Sequence, residues 1–199
     1  GPRNLCVTAI GELPAGSALR RDGARADDDI WVSGQPGLAA LGLAQLQART
    51  SLPETLAQRC VSALQRPLPR VELGLGLRGL ASAAIDVSDG LLADLGHILE
   101  RSGLAADLFE GQLPLIPPGS PPPLARQCQL AGGDDYELCF TAPIAARQRI
   151  VELAAGLDLP LWRIGYTVGA ADRPVADIRL LDADGQPLPI TRKGFDHFG

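Results

Sequence analysis

Short apolar strands alternate with amphipathic helices along the chain, and this alternation constrains the fold more than any other feature of the sequence. Apolar residues recur at helical spacing in some segments and form short runs bounded by Gly or Pro in others. Before residue 102, the predicted elements are a strand at 30–33, helices at 38–49, 51–64 and 71–80, a strand at 83–87 and a helix at 89–101. The elements lack the long regular period of a barrel, so the pattern predicts a layered α/β (or α+β) domain.

The pattern continues after a proline-rich loop at 114–123. The elements predicted there are helices at 124–130 and 143–155 and strands at 137–141, 161–168 and 178–181. An alternating run at 4–10 predicts one more strand. No earlier segment of the chain could pair with this strand, and the chain contains no methionine. We expect this strand to be left over from a missing N-terminal domain. The predicted organisation is a terminal strand within residues 1–14 and a C-terminal α/β domain over residues 15–199.

Composition and charge exclude several classes of protein. The chain is 46% hydrophobic and 21% charged, which is typical of a soluble globular protein. Its apolar runs are too short for the roughly 20 residues of a membrane span. A net charge of -5 without a basic stripe argues against a nucleic-acid partner. The four cysteines are widely separated, so we expect small buried side chains in a reducing cytoplasm, not a metal cluster.

The sharpest local signal is Ile-Asp-Val-Ser-Asp-Gly at 85–90, where a predicted strand passes into a helix. Residues two apart on a strand share a face, so Asp86 and Ser88 would point together, with Asp89 in the first turn of the helix. Such oxygen ligands suit magnesium, and magnesium at a strand end indicates nucleotide phosphates nearby. The alternative is that Ser88 or Asp89 only caps the helix, which is the commoner use of these residue types.

A second signal is Gly-Gly-Asp-Asp-Tyr-Glu at 132–137. The glycines allow close backbone approach, and three carboxyl groups stand beside an apolar strand. Crowded like charges are costly there unless a cation or polar ligand is bound between them. The residues support a ligand site and a solvated loop equally.

Other candidate motifs carry less information. The G-x-G-x-x-G match at 74–79 follows prolines and opens no long helix, so we interpret it as a helix face of small residues, not a phosphate loop. The three aspartates at 27–29 are expected to form a solvated turn. Arg20 and Arg21 lie in a Gly-flanked loop and either pair with phosphate or face water, and His97 is expected to be structural. No nucleophile–base set is apparent, so no covalent intermediate is predicted.

Three motifs together, at 85–98, 132–140 and 193–198, resemble those of the thiamine-monophosphate kinase family in order and spacing. The opening Gly-Pro resembles the point just after that family's N-terminal domain. The resemblance covers essentially the whole chain. It implies a C-terminal domain like that of aminoimidazole ribonucleotide synthetase, with the N-terminal domain absent.

The resemblance further implies a function. The family transfers the γ-phosphoryl group of ATP directly to thiamine monophosphate, with magnesium, in a cleft between two domains of a cytoplasmic homodimer. The 199-residue chain alone is then expected to be inactive. The alternatives are another ATP-using enzyme of the superfamily, such as a purine-precursor ligase, or a non-catalytic C-terminal module.

Carried over by position, the resemblance assigns magnesium to Asp86 and Asp89, ATP to Arg21 and Ser88, and thiamine monophosphate to Asp134 and Phe195. Asp134 stands where the family usually has glutamate, one methylene longer, so its contact is either lost or bridged by water. Phe195 keeps an aromatic face for the thiamine moiety but lacks the hydroxyl of a tyrosine.

Overall fold

The computed structural model of the chain describes residues 6–169, 171, 173–190 and 194. Within this part, seven strands form one sheet: β1 (Asp29–Ser33), β2 (Ala83–Asp86), β3 (Leu104–Phe109), β4 (Leu138–Ala142), β5 (Leu161–Gly169), β6 (Ile178–Leu181) and β7 (Pro187–Leu188). The helices are α1 (Leu38–Leu46), α2 (Glu54–Gln65), α3 (Val71–Gly76), α4 (Leu91–Ser102), α5 (Pro122–Ala131) and α6 (Arg147–Gly156). Short 3₁₀ turns lie at Glu110–Gln112 and Ile144–Ala146.

The sheet has the strand order β2-β4-β1-β5-β3-β6-β7, so β2 and β7 are its edges. Strands β3 and β6 pair in parallel, and the other described neighbours pair antiparallel. This mixed sheet with helices confirms the predicted α/β class. Its edge strand β2 leads directly into the turn that carries the first acidic motif.

Both faces of the sheet are covered by helices. Ile30 and Val32 of β1 point into a core shared with α4, whereas Trp31 between them points into a second core beneath α3 and α6. Trp31 stacks on Phe140 of β4, with ring centroids 6.2 Å apart. Each fully buried large apolar side chain stabilises the fold by about 1.5–3 kcal/mol. A third cluster joins α1, α2 and α5.

The predicted strands from residue 30 onward are confirmed to within about two residues. Strand β3 was not predicted, because its sequence, Leu-Ala-Ala-Asp-Leu-Phe, has weak alternation and low β-propensity in its middle. Its position depends on tertiary pairing with β5 and β6 on either side. The predicted helix at 71–80 ends at Gly76, where the bare Cα lets the side chain of Leu153 pack closely, as the small-residue interpretation requires.

Three expectations are wrong. Residues 6–10 are exposed and form no strand, because no neighbouring strand satisfies their backbone groups in the described part of the chain. Asp28 and Asp29 are buried instead of solvated, since Asp29 pairs with Arg147 and Arg163. Of the cysteines, Cys6 is exposed, while the other three are buried and unpaired. The division at residue 14 stays a prediction.

Across the described residues, no helix combines the length and the apolar character that crossing a membrane demands.

Candidate functional site

The turn between β2 and α4 is held by a carboxylate from within the helix. Asp94 is buried, and its Oδ2 accepts the backbone N–H groups of Ser88, Asp89 and Gly90 at 3.0, 3.0 and 3.1 Å. Burial raises the pKa of Asp94. The N-cap position of α4 belongs to Gly90, so the interpretation of Ser88 or Asp89 as the cap is wrong. Their side chains are therefore not needed to begin the helix.

The two acidic motifs join through their backbones. The N–H of Asp134 donates to the Ser88 carbonyl at 2.9 Å, and the N–H of Tyr136 donates to the Val87 carbonyl at 2.9 Å. Val87 in turn donates to the carbonyl of Glu137 at 2.7 Å. A methyl group added at Gly133 would stand 2.2 Å from the Ser88 carbonyl oxygen. Segments 87–88 and 133–137 thus form one unit, which we call the paired turn.

The paired turn contains unusual backbone conformations. Asp134 has φ 67° and Tyr136 has φ 52°, both in the left-handed region. Aspartate tolerates this region, but a bulky residue such as tyrosine is rare there. Strained backbone of this kind clusters at ligand sites.

One side of the paired turn borders a cavity of about 990 Å³, which we call the first cavity. Its walls are largely apolar, and its polar lining includes Arg20, Arg21, Asp86 and Tyr136. The Arg20 carbonyl accepts the backbone N–H of Ala84 at 2.9 Å, which ties this loop to the free edge of β2. Arg20 itself pairs with Asp22. Arg21 therefore stands in the same cavity as Asp86.

The other side of the paired turn borders a second cavity, of about 510 Å³. It is lined by Ser88 and Asp89 from one motif and by residues 132–134 from the other. Residues from the ends of α1 and α5, including Arg49 and Cys128, complete its wall. The structure thus places Ser88 and Asp89 beside Asp134, and it separates this group from the first cavity.

The predicted magnesium ligands, Asp86 and Asp89, line the cavities on opposite sides of the paired turn. Asp86 lines the first cavity, and Asp89 lines the second. No cluster of three or more metal-binding side chains exists among the described residues. Two carboxylates still fit magnesium, because this ion is usually held by one or two carboxylates together with substrate phosphates.

Phe195 lies outside the described residues, but its neighbour Gly194 is described. Gly194 lies against the start of α4, where an added methyl group would stand 2.5 Å from Ala93 Cβ and 3.0 Å from the Asp89 carbonyl oxygen. The assigned role of Phe195 stays a prediction. Gly194 itself therefore lies beside the turn that carries the first motif.

Asp135 caps α1 from a distant part of the chain. Its carboxylate accepts the N–H groups of Gly37 at 2.6 Å and Ala39 at 3.0 Å. These are backbone donors that the helix itself leaves unsatisfied. Burial raises the pKa of Asp135 to about 7, in spite of the two donors that favour the charged form. The cap fixes α1, which forms one wall of the second cavity.

Glu137 forms a buried ion pair behind the site. Arg70 binds its carboxylate through two hydrogen bonds of 2.7 and 2.6 Å, and the Ser33 hydroxyl donates a third at 2.5 Å. The hydrogen bonds to Glu137 raise the pKa of Arg70. Arg70 also lines the first cavity, so this pair links the paired turn to the wall of that cavity.

Sequence reasoning missed Asp94 and the separate roles of the three acidic residues at 134, 135 and 137. The signal for Asp94 was a lone carboxyl on the apolar face of an amphipathic helix, one turn after a Ser-Asp-Gly turn. A buried carboxyl at that position needs donors, and the nearest unsatisfied ones are the N–H groups at the start of its own helix.

Residues 25–176 match the family described as AIR synthase related protein, C-terminal domain. The chain is 41% identical over 209 aligned positions to the thiamine-monophosphate kinase of Salmonella typhimurium, covering 100% of this chain and 61% of that protein.

Among solved structures, the thiamine-monophosphate kinase from Stenotrophomonas maltophilia K279a is 44% identical with a TM-score of 0.78, over 88% of this chain and 56% of that one. The structure described as AaThiL complexed with AMPPCP and TMP is 28% identical with a TM-score of 0.70, over 90% of this chain and 54% of that one. The chain thus spans less than two thirds of the length of each of these relatives.

Proposed function

Because the chain belongs to the family of AIR synthase related proteins, as their C-terminal domain, we propose that it is part of an ATP-dependent thiamine-monophosphate kinase. The reaction would transfer the γ-phosphoryl group of ATP to the phosphate of thiamine monophosphate, giving thiamine diphosphate and ADP. The named relatives support this activity, and the related structure in complex with AMPPCP, an ATP analogue, and TMP supports both substrates.

The observation that carries the proposal is the division of the site by the paired turn. Arg21 and Asp86 line one side, where ATP phosphates would lie, and Asp134 lines the other, where thiamine monophosphate would lie. Donor and acceptor phosphates would then meet across Ser88 and Asp89. Phosphoryl transfer depends mainly on such positioning and on charge neutralisation.

Each candidate residue of this chain would have a separate role in the reaction. Arg21 would bind ATP phosphates, for which a guanidinium offers paired donors, and the Ser88 hydroxyl would orient them. Asp86 and Asp89 would hold magnesium, which when bound neutralises charge on the phosphates. Asp134 would contact the substrate. Direct transfer without a phosphoenzyme is proposed, since no covalent nucleophile was identified in the sequence.

Three further properties belong to the proposal. The chain spans 61% of its relative from Salmonella typhimurium, so we propose that the 199 residues alone are inactive and need the preceding domain. The whole protein would be a homodimer, as the family resemblance implies. It would work in the cytoplasm, where thiols such as the three buried, unpaired cysteines stay reduced.

The test is a phosphotransfer assay with thiamine monophosphate, ATP and magnesium. It compares the protein extended by its N-terminal domain with the 199-residue chain, each checked by intact mass. We expect thiamine diphosphate from the extended protein only. ATP turnover that requires formylglycinamidine ribonucleotide would instead indicate a purine-precursor ligase, and activity of the short chain would refute the proposed need for the preceding domain.

A matched pair of variants tests the site assignment in the extended protein. Asp86→Asn removes a proposed magnesium ligand and should abolish turnover while leaving the unfolding transition intact. Asp184→Asn changes an exposed aspartate of the turn between β6 and β7 and should leave turnover unchanged. Normal turnover of Asp86→Asn would show that the magnesium assignment is wrong.

A further inference from the structure

We propose that Arg49 binds the phosphate group of thiamine monophosphate and thereby lets the second cavity distinguish this substrate from unphosphorylated thiamine. The inference rests on the proposed function and adds to it a residue that sets substrate specificity. Neither the acidic motifs nor the family resemblance points to Arg49.

The charges that line the second cavity favour this role. Arg49 is the single basic residue among the described residues that line it, and the acidic ones are Asp89 and Asp134. A phosphate monoester carries about -1.5 to -2 charges near pH 7. Asp134, which is not among the proposed magnesium ligands, would repel such a group unless a cation stands opposite. The guanidinium of Arg49 supplies that cation within the same cavity.

The backbone before Arg49 is fixed in an unusual conformation. α1 ends at Leu46, and Ala48 then adopts φ 55°, in the left-handed region where glycine is the usual residue. The N–H of Arg49 donates to the Ala44 carbonyl at 2.9 Å, which closes the helix end. Alanine is sterically disfavoured in this conformation. The chain therefore turns sharply at 48 and places residue 49 against the second cavity.

Arg49 is also available for a ligand. Its side chain forms no salt bridge to any residue that the structure describes, and it is exposed. By contrast, Arg70, Arg147 and Arg173 are each held by carboxylates of the chain. An arginine in a cavity wall that pairs with no described carboxylate can bind a phosphate through two parallel hydrogen bonds.

Thiamine itself offers the discriminating probe. It carries the same cationic ring as thiamine monophosphate but lacks the phosphate. If Arg49 acts on the phosphate, its removal weakens the binding of thiamine monophosphate and leaves thiamine unaffected. If Arg49 only shapes the cavity wall, both ligands weaken together.

The experiment uses the extended protein with the variants Arg49→Gln and Arg49→Lys, and with Arg66→Gln as the control. Arg66 is an exposed arginine just after α2 that does not line the second cavity. We expect Arg49→Gln to raise the KM for thiamine monophosphate roughly 10- to 100-fold, the loss typical of a charged hydrogen bond. The KM for ATP and the inhibition constant of thiamine should stay unchanged. Arg49→Lys should restore part of the loss, and Arg66→Gln should match the wild type.

Two results would overturn the inference while the proposed function stands. They are an unchanged KM for thiamine monophosphate in Arg49→Gln, and an equal weakening of thiamine monophosphate and thiamine. If the wild-type protein neither binds nor phosphorylates thiamine monophosphate in the same assay, the proposed function fails, and this inference fails with it.

Discussion

Asp94 Oδ2 lies 3.0 Å from the backbone nitrogen of Ser88, so a carboxylate inside α4 holds the turn that precedes its own helix. The same oxygen accepts the N–H groups of Asp89 and Gly90. Three backbone donors at the start of a helix thus converge on one buried acceptor. The positions of Asp89, which lies in this turn, and of Asp86, which precedes it, depend on that acceptor.

Replacement of Asp94 is expected to separate stability from activity. Asp94→Ala leaves one buried and two half-buried donors without an acceptor and should lower the free energy of unfolding by about 3 kcal/mol. Asp94→Asn keeps one acceptor oxygen, so it should lose only about 1 kcal/mol. In the extended protein, however, Asp94→Asn should raise the magnesium concentration needed for half-maximal turnover.

Urea denaturation and magnesium titration measure these two effects. Glu100→Gln on the exposed side of α4 is the control, and it should alter neither. A variant Asp94→Asn with wild-type magnesium dependence would show that the turn keeps its geometry without the carboxylate.

The contact between Gly133 and Ser88 predicts a strong effect of a single methyl group. Gly133→Ala would place Cβ 2.2 Å from a backbone oxygen of the paired turn, so one of the two segments must move. We expect turnover to fall at least tenfold and the unfolding transition to shift to a lower temperature. Kinetic assays and thermal denaturation check both.

Gly96 provides the matched control for that substitution. It lies within α4, and among the described residues an added methyl group would contact nothing within 4 Å. Gly96→Ala should therefore stabilise the protein by about 0.5–1 kcal/mol, because alanine favours helix more than glycine does. If both variants lose activity equally, the Gly133–Ser88 contact is not the cause.

The raised pKa of Asp135 predicts a pH dependence of stability. Its pKa is about 7 in the folded protein, against an ordinary value of 3.8. Between about pH 4 and 7, the folded state holds a proton that the unfolded state has released, so stability falls as pH rises through this window. The slope approaches about 1.4 kcal/mol per pH unit for one such group.

Asp135→Asn removes the titrating group and keeps one acceptor for the start of α1. We expect the free energy of unfolding of this variant to change less between pH 4 and 7 than that of the wild type, with the greatest gain above pH 7. Denaturation at a series of pH values measures the difference. Identical pH profiles would show that Asp135 is ionised throughout this range.

The pair of Arg70 and Glu137 predicts a large loss of stability when it is broken. Arg70→Ala leaves the buried carboxylate of Glu137 with the Ser33 hydroxyl and no charged partner among the described residues, and it should cost about 3–5 kcal/mol. The double variant Arg70→Ala with Glu137→Gln should recover much of this loss, because no charge is then left buried. Arg78→Ala at an exposed position is the control. A double variant no more stable than Arg70→Ala would contradict this explanation.

Much of the fold was predictable because burial of apolar residues leaves a period in the sequence. β1 shows this, since Ile30 and Val32 face one core and Trp31 the other. β3 was not predictable, because the two alanines and the aspartate in its middle have low β-propensity. This segment forms a strand because it pairs with β5 and β6. Asp29 was misplaced because its partners, Arg147 and Arg163, are distant in the sequence.

The sequence singles out candidate residues for the site, whose roles stay predictions, but it does not predict their arrangement. The motifs identified Asp86, Ser88, Asp89 and Asp134 by residue type and order. Their assignment to two cavities depends on the backbone hydrogen bonds of residues 87–88 to residues 134–137, which no side-chain pattern encodes. The cap by Asp135 was not predictable for a similar reason, since α1, the helix that it caps, begins far earlier in the chain.

The paired turn also bears on how a protein like this one can change its substrate. Its three joining hydrogen bonds use main-chain groups of residues 87, 88, 134, 136 and 137, which every amino acid except proline can supply as donors. Natural variation or directed evolution can therefore exchange the side chain at position 134, for instance between aspartate, asparagine and glycine, without taking the scaffold apart. New specificities are accessible at this position by single substitutions, with proline as the residue that a library there should omit.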